Sequence, residues 1–122
     1  MTPDLFMETI RQGASGVLIA AGFVFVAGGV IGFLRFPDFY TRLHALTTSD
    51  GIGAVLVLTG LAVGAASTEA AVKLAILAVL VGAITPTLAH IAANAAHAAG
   101  LTPLVGTYTA PRPGQTRQEP RG

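Results

Sequence analysis

Charge and apolarity alternate along this chain in long blocks rather than at the short periods of a soluble domain. From Gln12 to Leu34 no residue is ionisable, a run of 23 positions. That is enough for a helix to cross about 30 Å of hydrocarbon with some tilt. A second apolar run follows Gly51 and a third spans Val72 to Ala99, with Ser67 and Thr68 as a very short connection between them. Uniform apolarity predicts spanning helices, because a surface helix would keep a polar face. The expected architecture is all-α, an integral membrane protein of three transmembrane helices. The expected parts are a lead-in over 1–11, a first span over 12–34 and a polar hinge over 35–50. A second span covers 51–67, a third 68–99, and a disordered tail 100–122. The short connection makes the second and third spans an antiparallel hairpin.

Local chemistry sharpens the outline. Pro37 suits a first helical position and Asp38 its first turn, and Asp38 precedes Arg42 by four residues, the favourable order for a helical ion pair. Phe39, Leu43 and Leu46 share one face, so the hinge reads as a short amphipathic helix or as the protruding start of the second span. Ser49 and Asp50 can cap that span. Thr68 can cap the third, where Glu69 and Lys73 form another pair at i, i+4. Gly28 with Gly32, and Gly60 with Gly64, have the spacing that lets membrane helices approach closely. Within the third span Pro86 removes a backbone donor and predicts a kink, with Thr85 or Thr87 available to the freed carbonyls. Thr87, His90, Asn94 and His97 recur at helical spacing.

Composition adds exclusions. Charged residues make up 11% of the chain, less than half the share that covers the surface of a soluble domain. A net charge of +1 provides no footprint for nucleic acid. Without cysteine there is no disulfide, thiolate metal site or cysteine nucleophile. No nucleophile triad, phosphate-binding glycine loop or paired carboxylate appears, so neither enzyme activity nor a cofactor is expected. His90 and His97 lie about 10 Å apart along a helix, too far to hold one metal ion together. The spans lack the intramembrane carboxylate on which small multidrug exporters depend. Arg35, Arg42, Arg112, Arg117 and Arg121 fall on one side of three spans, and Arg11 and Lys73 on the other. The positive-inside rule then puts the N-terminus outside and the hinge and tail in the cytoplasm.

The hinge with its flank carries Gly32, Arg35, Asp38, Tyr40, Arg42, His44 and Ala45 at the spacings of one family motif. In these positions it resembles the G subunit of the Mrp-type multisubunit cation/proton antiporter. The stretch Ile84–His90, with Pro86 and the following His, is similar to that family's helix-breaking segment. Family members often place a basic residue after the His-Ala pair, whereas this chain continues Leu46-Thr47-Thr48-Ser49-Asp50. The resemblance implies an accessory subunit of a hetero-oligomer in the bacterial plasma membrane, packed with small E and F subunits. The complex exports Na⁺ (in some members K⁺) against entering H⁺, and membrane lipid surrounds it. It implies subunit docking or motif roles for Arg35, Pro37, Asp38, Tyr40, Arg42 and His44. It also makes Thr85, Pro86, Thr87 and His90 the candidate border of a cation path, and Gly28, Gly32, Gly60 and Gly64 the packing positions. The rival expectation is a self-assembling pore-former of the holin type, also short and rich in Gly and Ala.

Overall fold

The computed structural model describes residues 1–101 and the backbone of two short strands, Leu104–Val105 and Tyr108–Thr109. The rest of the 100–122 tail, expected to be disordered, lies outside the described residues. The strands pair antiparallel, Leu104 opposite Thr109 and Val105 opposite Tyr108. Everything else is helical: α1 Pro3–Arg35, α2 Phe39–Thr47, a π-helical segment Thr48–Gly53, α3 Ala54–Gly64 and α4 Thr68–Ala98.

Helix α1 starts on Pro3, whose absent N–H would have been unsatisfied anyway. It therefore includes most of the segment read as a lead-in. It ends at Phe36, which takes extended backbone (φ −77°, ψ 135°) because Pro37 disfavours helical geometry before it. The chain resumes on Asp38 as an extended N-cap, so that the helix starts at Phe39, two residues later than expected at Pro37. From Phe39 it runs through α2, the π segment and α3 without a break, 26 residues to Gly64. The hinge is thus the start of the second span. Ser49 and Asp50 lie inside the π segment and cap nothing.

Three helical stretches are long and apolar enough to cross a membrane: Pro3–Arg35, Phe39–Gly64 and Thr68–Ala98, with mean hydropathy 2.5, 1.6 and 2.1. Among the described residues no large side chain is fully buried, and Val17, Val24 and Val79 are about 70% exposed. So much outward apolar surface requires lipid or partner helices around it.

What holds the bundle together is backbone proximity. Ser15, Gly22 and Gly29 are the buried positions of α1, seven residues apart. A Cβ at Gly22 would lie 2.8 Å from the Gly53 carbonyl oxygen and 2.9 Å from the Val57 nitrogen. A Cβ at Gly29 would lie 2.8 Å from the Ala45 carbonyl, and one at Gly60 3.0 Å from the Ser15 carbonyl. The Ser15 hydroxyl donates to the Gly60 carbonyl at 2.7 Å, a buried bond between spans. Of the four expected packing glycines, Gly32, Gly60 and Gly64 meet a neighbouring side chain or helix, while Gly28 faces open space.

At one end of the bundle Arg11 donates to the carbonyls of Val63 (3.3 Å) and Ala65 (3.0 Å), placing a cation on the C-terminus of α3. Glu8 holds that guanidinium by two bonds, at 3.0 and 2.8 Å. The next helix is capped by Ser67, which accepts from the Ala70 N–H, and not by Thr68. Glu69 and Lys73 do pair.

At the other end α4 closes with Gly100 at φ 91°, a left-handed value suited to glycine. Leu101 N–H donates to Ala96 and Gly100 N–H to His97, the paired bonds of a Schellman stop. The Tyr40 hydroxyl then donates to the Leu101 carbonyl at 2.9 Å. One hydrogen bond ties the start of the second span to the end of the third.

Candidate functional site

Two irregular stretches of backbone face each other across the bundle. On one side is the π segment, in which i→i+5 bonding widens the helix over Thr48–Gly53. On the other is α4 around Pro86, which lacks the N–H that would have bonded the Gly82 carbonyl. A Cβ at Gly51 would lie 3.5 Å from Thr85 Cγ2, so the two meet at ordinary van der Waals range.

Beside this meeting point opens a groove of about 730 Å³, lined by Thr47, Thr48, Gly51 and Ile52 from one wall and Thr85, Pro86 and His90 from the other. Its polar side chains are three threonines and His90. Thr47 and Thr48 both donate to the His44 carbonyl, at 2.9 and 3.0 Å, and Thr85 donates to Val81 at 2.8 Å. Their protons are committed to backbone, which leaves the oxygen lone pairs as acceptors. Hard monovalent cations take oxygen ligands of this kind. The threonines flanking Pro86 bond Val81 and Ala83, the carbonyls on either side of Gly82, by the ordinary back-bond of a helical threonine.

The four residues expected along a cation path do not all share this space. Thr85, Pro86 and His90 line the groove; Thr87 is exposed and does not. His90 Nε2 is 3.2 Å from Asn94 Nδ2. No group of three or more His, Cys, Asp or Glu that could hold a metal ion occurs among the described residues.

The hinge residues are divided among several tasks. Arg35 ends α1 and stays exposed, and Pro37 forms the bend. Asp38 is 8% exposed at the N-cap, with no side-chain capping bond. The expected Asp38–Arg42 ion pair does not form: the Arg42 Nε donates to the Phe36 carbonyl at 2.6 Å, and its guanidinium carbon lies 6.0 Å from the Phe33 ring centre. Asp38 takes extended backbone (φ −101°, ψ 141°) ahead of the helix, its carbonyl accepting from the Arg42 N–H at 3.0 Å while its carboxylate stays apart from the guanidinium. His44 is exposed, its carbonyl serving Thr47 and Thr48.

Sequence reasoning missed the π segment, the Glu8–Arg11 cap and the Ser15–Gly22–Gly29 face. The last was available as a seven-residue repeat of small residues; the π segment has no such signal.

Three apolar helices, a glycine-mediated interface and a hydroxyl-lined groove between two backbone irregularities define a small polytopic membrane subunit of the ion-transport type. The comparisons narrow this. Residues 18–97 match the family described as Na⁺/H⁺ antiporter subunit, and the chain belongs to it. A UPF0091 protein of Pyrococcus horikoshii is 37% identical over 84 residues, covering 69% of this chain and 82% of that one. A UPF0091 protein of Rickettsia conorii is 39% identical over 74 residues, covering 61% and 70%. Among solved structures, a chain of the Mrp complex from Dietzia sp. DQ12-45-1b superposes with TM-score 0.75 at 34% identity, covering 88% of this chain and 93% of that chain. A chain of the membrane-bound sulfane sulfur reductase, an archaeal respiratory membrane complex, gives TM-score 0.70 at 26% identity, covering 77% and 88%. The antiporter-subunit expectation stands, and the holin-type alternative is not favoured.

Proposed function

We propose that this chain is an accessory subunit of a hetero-oligomeric Na⁺/H⁺ antiporter, holding neighbouring small subunits in place and bordering the route of the cation. The observation that carries the reading is the groove between the π segment and Pro86. There, irregular backbone and hydroxyl oxygens meet within the apolar length of two spans, an arrangement that membrane transporters use at ion sites. The second span holds one carboxylate within its π segment, Asp50, which is exposed and stands outside the lining of this groove; the proton-driven step is assigned to the other subunits. The exposed Arg42 and His44 form a docking collar for them, small E and F subunits among the neighbours. The side bearing the hinge is cytoplasmic, a reading supported by its excess of arginine. The transported ion is Na⁺, or K⁺, leaving as H⁺ enters.

The test is Thr85→Val, alone and with His90→Ala, in the complete complex expressed from its own locus. Loss of one oxygen ligand, at about 1.4 kcal/mol, raises the Na⁺ concentration for half-maximal antiport roughly tenfold. Recovery of the other subunits stays normal. Unchanged antiport in the double variant would remove the groove from the cation route. Arg42→Gln addresses docking separately: it lowers recovery of partner subunits, and full recovery sinks the collar.

A further inference from the structure

A second groove, of about 490 Å³, lies on the opposite flank of the π segment and takes no part in the reading above. Its walls are α1 from Val24 to Arg35, Phe36 after it, and Ala45 and Thr48 of the second span. Every lining side chain is apolar or glycine except Thr48 and Arg35, and Arg35 stands at one end. The eleven helical rises from Val24 to Arg35 measure about 16 Å. That is roughly half of a 30 Å hydrocarbon core, the depth of one leaflet. The cation therefore stands where the headgroup of a lipid would be when its acyl chain occupies the groove. Among the described residues Arg35 has no carboxylate within 4 Å, since both ion pairs, Glu8–Arg11 and Glu69–Lys73, lie at the far end of the bundle. Arg42, also exposed, adds a second cation at the same end, without an anionic partner among the described residues.

We propose that this groove seats one phospholipid with an anionic headgroup, its phosphate on the Arg35 guanidinium and an acyl chain along Gly28, Phe25 and Val24. The fit is one of charge and length together. A partner helix would find a single cation at the end of a one-leaflet slot, with only the Thr48 hydroxyl besides, its proton already given to the His44 carbonyl, whereas a lipid matches both. The planar guanidinium offers paired donors to phosphate oxygens. Phe36 and Phe25 close the sides of the slot.

Gly28 makes the proposal testable without disturbing the fold, because a Cβ there meets nothing within 4 Å. Gly28→Leu fills the slot from its floor, and Arg35→Gln removes the headgroup contact while leaving the slot open. The complex carrying the tagged full-length chain is stripped of lipid in detergent and incubated with equimolar phosphatidylglycerol and phosphatidylcholine. Lipid retained per complex is then counted by native mass spectrometry. The expected result is retention of phosphatidylglycerol over phosphatidylcholine, reduced about fivefold by Arg35→Gln, the effect of one interfacial cation, and largely restored in Arg35→Lys. Gly28→Leu lowers retention as well, with partner subunits recovered normally. Equal retention of the two lipids, or phosphatidylglycerol counts unchanged in both variants, overturns the proposal. Loss of a partner subunit in Gly28→Leu with lipid counts unchanged also overturns it, and assigns the slot to a partner helix.

Discussion

The two sides of the second span differ in kind. Toward α1 it presents Ala45, Ser49, Gly53, Val57 and Gly60, and the backbones close to distances that exclude a side chain at Gly22 and Gly29. Toward α4 the nearest comparable approach, a Cβ at Gly82 against Val55 Cγ2, is a looser 3.3 Å, and a groove opens beside it. The first side is closed by backbone contact, with the Arg35 groove beside that contact. The second leaves oxygen atoms and volume to something else. A small membrane subunit therefore need not be uniformly packed: close backbone contact is concentrated in one helix pair, and the third helix leaves a groove beside the second.

The comparison breaks most visibly at Gly22. Gly22→Val places atoms within reach of the Gly53 carbonyl and the Val57 backbone, and overpacking of this sort costs about 1–3 kcal/mol or more where only backbone can yield. The expected outcome is loss of a monodisperse peak in detergent, while Gly16→Val, where nothing lies within 4 Å, elutes normally. Equal behaviour of the two variants would mean that the α1–α3 contact is not the rigid half. A smaller effect comes from Ser15→Ala, which deletes a buried interhelical bond worth about 0.6–1.5 kcal/mol. It should lower the thermal midpoint by a few degrees and leave Na⁺ tolerance intact, because the groove is on the other side. The smallest is Arg11→Gln. It frees the Val63 and Ala65 carbonyls at the exposed turn, and should increase amide exchange at Ala65–Ser67 with little change in melting.

Much of this was legible in the order of residues. The three spans follow from uncharged runs whose length is set by the bilayer, and the tight hairpin follows from having only Ser67 and Thr68 to turn with. The hinge stood out because Arg35, Asp38 and Arg42 interrupt apolarity. Its internal pairing did not, since that depended on whether the helix begins at Pro37 or Phe39, and a two-residue difference separates an Asp38–Arg42 bridge from an Arg42–Phe36 hydrogen bond. The packing glycines were half visible. Spacing of four drew attention to Gly28 and Gly32, whereas the buried face of α1 recurs every seven through Ser15, Gly22 and Gly29. Of the groove, Thr85, Pro86 and His90 could be named from α4 alone. Thr47 and Thr48 could not, because they reach it through the π segment, and nothing in Thr-Ser-Asp-Gly-Ile-Gly announces i→i+5 bonding.

That segment also works as a phase corrector. Ala45, Ser49, Gly53 and Val57 all meet α1, in three successive steps of four residues. In a regular α-helix each step of four drifts by roughly 40°, so three would carry the last residue about 120° off the line of contact. The wider turn absorbs the drift and keeps the strip parallel to its neighbour. Among related chains a single-residue deletion within 48–53 would then shift every later position of the second span around its axis. The length of this short stretch is therefore constrained more tightly than its composition, much as a vernier is fixed by its pitch and not by its engraving.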